Sequence, residues 1–178
     1  TQAFTTLGDG YAFDTTITVA GTVATEAKGR WTSGNSEFVV TTGGTSITYR
    51  TIPPNSWVLE AGKPWVAVDG QIPSGDPLDA LSKPTSAEVI STDASGTRIA
   101  AVYPAASLGL AGSKPVSVDL TIAPDSSITA RYDAPLTTAS GSAAPSPGGT
   151  ASAQTVLTPS PNQPAIAVPD LGSAAPSS

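Results

Sequence analysis

The sequence predicts a mainly β fold: an antiparallel meander or half-barrel sheet with one or two short helices, followed by an extended Pro/Ser/Ala-rich C-terminal tail. Three observations predict it. Apolar residues recur at period two in short segments of the first 133 residues, Gly, Pro, Asn and Asp clusters punctuate those segments at near-even spacing, and both charge and alternation fall away after Asp133. The expected division is therefore a β domain over residues 1–133 and a low-complexity segment over residues 134–178. A domain of about 130 residues buries roughly two-thirds of its unfolded surface and needs no disulfide or metal staple.

Taken in order, Tyr11, Phe13, Ile17 and Val19 alternate with Asp14, Thr16 and Thr18, the pattern of a half-buried strand. Gly21 allows a turn into a more polar segment, Val23 to Trp31, and Ser33-Gly34-Asn35 turns the chain into Glu37 to Thr42. Gly43-Gly44 is the clearest hairpin signal, because the favoured two-residue turns demand positive φ. Ser46 to Ile52 stops at Pro53-Pro54, and Trp57 to Glu60 and Trp65 to Asp69 flank a turn at Ala61-Gly62. Asp76 suits a helix N-cap, Pro77 the first helical position, and Leu78 and Leu81 share a face before Pro84 ends the helix.

Alternation resumes over Ala87 to Thr92, turns at Asp93 to Gly96 and returns through Arg98 to Tyr103. Leu108 to Gly112 breaks the ladder. Val116, Val118, Leu120 and Ile122 then alternate strictly with Ser117, Asp119 and Thr121, and a turn at Pro124-Asp125-Ser126 leads to Ile128, Ala130 and Tyr132. Beyond Asp133 the only charge is Asp170, a composition that predicts disorder in isolation. Within it Val156, Leu157, Ile166, Val168 and Leu171 form small apolar clusters between prolines, suited to extended docking on a sheet edge or a partner surface. They are the candidate partner contacts.

The chain has no His, Cys or Met, which removes most side chains that serve acid/base, thiol, metal and redox chemistry. A serine nucleophile needs a base, and neither Ser-x-x-Lys nor Gly-x-Ser-x-Gly occurs. Asp76 with Asp79 reads as helix capping, Asp93 with Asp125 as turn chemistry, and no segment resembles a calcium loop. Gly8-Asp9-Gly10 and Gly43-Gly44 lack the strand-to-helix setting that cradles phosphate. No catalytic, cofactor-binding or metal-binding residue is therefore assigned, and the chain is read as non-enzymatic. The net charge of −6 and eight scattered basic residues argue against a nucleic-acid partner.

Charged residues make up 12% of the chain, against about 25% in an average soluble domain, a bland surface common among exported bacterial proteins. No run of about 18 apolar residues is present to span a bilayer. Because the sequence begins at Thr1 and not at Met, removal of an export signal or trimming of the chain is the expectation, with any lipid anchor outside the sequence. Trp31, Trp57, Trp65, Tyr49 and Tyr103 offer either core packing or an amphiphile-binding face, and Leu108 to Ala111 either a buried corner or an apolar lip. Trp57, Trp65, Leu108 and Leu110 are the candidate lipid-facing residues.

Ile47-Thr48-Tyr49-Arg50, Pro64-Trp65-Val66-Ala67-Val68-Asp69, Asp76-Pro77-Leu78 to Leu81 and the paired strands ending at Ala130-Arg131-Tyr132 occur in an order that resembles the LppX/LprG-type lipoproteins of actinobacterial cell envelopes. The resemblance runs from Ile47 to Tyr132, about half of the chain. It implies a half-barrel sheet curled around short helices and, for several members, acyl chains held in the hollow between. The family's long N-terminal helix is reduced here to Gln2 to Leu7. Two function classes stay open: an accessory subunit on a membrane-associated complex, docked through the tail, and a carrier of lipid or lipoglycan acyl chains. Both place the chain on the extracytoplasmic face of an envelope membrane.

Overall fold

The computed structural model describes residues 2–68, 76–110, 113–136 and 148–171. Its described residues form one antiparallel sheet of eleven strands with two short helices, α1 (Gln2–Gly8) and α2 (Pro77–Leu81). Strands β1 (Tyr11–Val19), β2 (Thr22–Thr32), β3 (Asn35–Thr42), β4 (Thr45–Ile52), β5 (Asn55–Glu60) and β6 (Val66–Val68) walk outward from the centre to one edge. The chain then crosses through α2 to the opposite edge. From there β7 (Ser86–Asp93), β8 (Gly96–Tyr103), β9 (Val116–Ile122) and β10 (Ile128–Leu136) walk back inward. Asp69 and Ala111, the expected ends of a strand and of an apolar lip, lie outside the described residues.

The turns follow their residues. Gly43 and Gly44 take φ of 57° and 79°, as a tight hairpin requires. Gly96 is fixed by space, since a Cβ there would lie 2.2 Å from the Ile122 carbonyl oxygen. Asp93 and Asp125 accept hydrogen bonds from the backbone N–H and hydroxyl of Ser95 and Ser127, and these bonds hold both carboxyls below their ordinary range.

The segment after Asp133 departs from the expected tail. β11 (Gly148–Pro159) fills an interior place in the sheet, paired with β1 from Ala151 to Pro159 and with β10 from Gly148 to Leu157. Its Ala151, Ala153, Thr155 and Leu157 are buried while Ser152, Gln154 and Thr158 are exposed, so it obeys the same period-two rule as the other strands. The compositional break near Ala134 therefore falls inside β10 and does not end the sheet. The chain just past Pro159 is also held: Ser160 N–H donates to the Gly10 carbonyl at 2.9 Å.

One face of the sheet carries the core. Tyr11, Phe13, Leu120, Ile128, Ala130 and Leu157 pack with Ala3 and Leu7 of α1, Leu81 of α2 and Tyr103 of β8. Two tyrosines pin α2 across this face. The Tyr11 hydroxyl donates to Asp76, whose carboxylate caps the helix by accepting from Leu78 N–H at 2.9 Å, and the Tyr103 hydroxyl donates to the Leu81 carbonyl at 2.8 Å.

Candidate ligand-binding groove

The sheet forks. β9 and β10 are paired only from Ile122–Ile128 to Asp119–Arg131, although β9 keeps its pairing with β8 out to Val116 and β10 its pairing with β11 out to Leu136. The sequence supplies a reason. Were the register to run on, Pro135 would face Pro115, and neither has an N–H to donate to a ladder. Past Arg131 the two strands separate, and the space between them opens into a groove of about 1380 Å³.

Its floor is small and apolar. Ala153 lies in register between Ile17 on β1 and Tyr132 on β10, and Ala151 between Val19 and Ala134. Ala134, Ala151 and Ala153 are buried yet stand outside the contiguous core cluster, so their short side chains leave the space that longer ones fill at the other end of these strands. A loop forms the second wall: Ala105 of the 3-10 turn Ala105–Leu108, then Gly109, Leu110 and Ser113 to Pro115, ahead of Val116. Gly109 ends that turn in the left-handed conformation at φ 69°, which bends Leu110 into the lining.

Because the groove sits in a fork and not over a continuous sheet, residues of both strand faces line it. Ser117 and Asp119 of β9 and Arg131 and Asp133 of β10 add a polar wall opposite the alanines. Arg131 Nε donates to Gln154 Oε1 at 2.8 Å, and Ser152 donates to Asp133 at 2.6 Å. Burial pushes the Tyr132 hydroxyl above its ordinary pKa, keeping it neutral and able to donate. The arrangement offers shape, an apolar floor and a mixed polar rim. Among the described residues, no three His, Cys, Asp or Glu side chains stand together where a metal ion could bind.

Of the candidate lipid-facing residues, Leu110 lines the groove and Leu108 packs beside it against the core cluster. Trp57 and Trp65 lie elsewhere. Trp57 is buried in register with Arg50, on the face opposite Phe38, which packs on the core, and Tyr49, which stacks on Phe38, and the Arg50 guanidinium lies 4.7 Å from the centre of the Trp65 ring. That second face has its own cover. Arg30 and Arg50 flank Glu37 in a cross-strand row, and their remaining donors reach the Pro164 carbonyl at 2.7 Å and the Ala167 carbonyl at 2.9 Å. The stretch 160–171 thus straps the face of β2 to β4, with Ile166 buried.

The candidate partner contacts are accordingly spread. Leu157 is fully buried in β11, Val156 is half-buried on the strand's other side, Ile166 is the buried residue of the strap, and Val168 and Leu171 are exposed. Sequence reasoning missed the alanine floor and the fork, for which the only signals are Pro115 and Pro135. No helix among the described residues is long and apolar enough to cross a membrane. No family model matches the chain, and no curated protein matches it.

Proposed function

We propose that this chain is a non-catalytic carrier of an amphiphile, a lipid whose acyl chain lies on the alanine floor of the fork and whose headgroup sits at its polar rim. The fork carries this reading. Its volume, about 1380 Å³, exceeds the roughly 300–1,000 Å³ of pockets for drug-sized ligands, and it joins an apolar floor to a few polar groups on one side. The proposed setting is the extracytoplasmic face of an envelope membrane, reached through a lipid anchor. It rests on the low-charge surface and on the resemblance of Ile47 to Tyr132 to envelope lipoproteins, a stretch that includes one wall of the fork. The accessory-subunit reading has less support, since Leu157 and Ile166 are buried in the chain's own fold and leave Val168 and Leu171 as exposed contacts.

The test is titration of delipidated protein with a fluorescent long-chain fatty acid. Saturable binding is expected, and Ala153→Trp, which places an indole between Ile17 and Tyr132, is expected to remove it while the protein still melts cooperatively. Absence of saturable binding, or binding that Ala153→Trp leaves intact, overturns the reading.

A further inference from the structure

The polar rim of the fork carries both signs of charge. Lys114 and Arg131 line it together with Asp119 and Asp133, a local balance within a chain whose net charge is −6. Two of the four are engaged, Arg131 with Gln154 and Asp133 with Ser152. Among the described residues the other two are not. Lys114 makes no hydrogen bond or ion pair among the described residues, and Asp119, although opposite Arg131 in the last β9–β10 pair, closes no ion pair with it. Both are exposed.

We propose that the ligand's headgroup is zwitterionic, with its anionic part, a phosphate or carboxylate, at Lys114 and its cationic part, an ammonium, at Asp119. This rests on the carrier reading and deepens it. A purely anionic headgroup would bring its charge beside Asp119 and Asp133, and a purely cationic one beside Lys114 and Arg131, so each single-sign head meets repulsion that a zwitterion of matching orientation avoids. The match gives selectivity over affinity, because charges at an exposed rim are screened by water and salt.

Three probes with the same hexadecyl chain separate the cases: hexadecylphosphocholine, hexadecyl phosphate and hexadecyltrimethylammonium, each competing with the fluorescent fatty acid on the full chain at low salt. Hexadecylphosphocholine is expected to displace it at about tenfold lower concentration than either single-sign probe, an advantage that shrinks as salt rises. Asp119→Asn should reduce that advantage over the phosphate probe, and Lys114→Gln the advantage over the ammonium probe. Lys63→Gln, at a lysine already paired with Glu60, should change neither. Equal displacement by all three probes, or a preference for one sign that Lys114→Gln and Asp119→Asn leave unmoved, overturns the headgroup assignment while leaving the carrier reading in place. If no probe competes, or if Ala153→Trp leaves all three unaffected, the carrier reading falls and the assignment with it.

Discussion

The inward row of β11 has two ends that share a backbone and differ in side-chain size. At one end Leu157, flanked in register by Phe13 and Ile128, is fully buried in a cluster that also contains Leu7 and Leu81. At the other end Ala151 and Ala153 occupy equivalent positions between β1 and β10 and line a groove. The ladder is continuous through both. What differs is the volume of the row and whether β9 stays paired with β10, so one strand closes the core at one end and leaves room at the other. Hollow and core are made by residue choice on a common scaffold.

The strand itself should matter most. Truncation after Pro147 removes β11 and strips both β1 and β10 of a neighbour in the middle of the sheet, splitting one core between two unpaired edges. The expected result is loss of cooperative thermal unfolding by circular dichroism; a truncated chain that melts near the temperature of the full chain would show that β11 is dispensable. Next in size is the contrast between the ends. Leu157→Ala should cost about 2–5 kcal/mol in urea unfolding, since it opens a cavity in a closed cluster. Ala153→Leu should cost less than about 1 kcal/mol, because the added carbons enter existing space and not a filled core. Equal costs at the two positions would mean that the groove end is packed in solution.

Much of this architecture is legible in the residues. Alternation places β1 to β5 and β7 to β9 within a few residues of their observed bounds, and the Asp76-Pro77 start of α2 is capped as expected. β11 is not legible, because Ala, Ser, Gln and Thr give little apolar contrast and the strand is embedded in a composition that reads as disorder. Its partner on one side lies far away in sequence, as the Thr15–Thr155 hydroxyl contact shows. Trp57 and Trp65 expose a second limit. Period two tells which residues share a face but not which face meets the core, and Trp57 is buried on the face where Arg50, its register partner, is tied to the strap from 160–171. Leu110 lines the groove and also packs against the core cluster, so neither of the two roles open to a Gly-flanked apolar residue between strands, lip or buried corner, is singled out by the residues alone. The fork rests on two prolines in different strands, whose opposition appears only once the register is known.

The smallest expected effect lies at high pH and concerns the packed end. Burial pushes the Tyr103 hydroxyl from about 10 up to about 12, and Tyr11 is raised too, by burial first and then by its hydrogen bond to Asp76 and that carboxylate's charge. A group with a raised pKa keeps its proton in the fold after the unfolded chain has released it. Its contribution is therefore complete below about pH 10 and is lost as pH rises toward about 12. Tyr103→Phe removes one such group, so its melting temperature should fall less steeply than the parent's across that interval. At neutral pH the variant should be less stable by about 1 kcal/mol, because the Leu81 carbonyl loses its donor. The two stability curves should therefore converge as pH rises. Curves that stay parallel would show that the Tyr103 hydroxyl is as solvated in the fold as in the unfolded chain, and that α2 does not seal this end of the sheet.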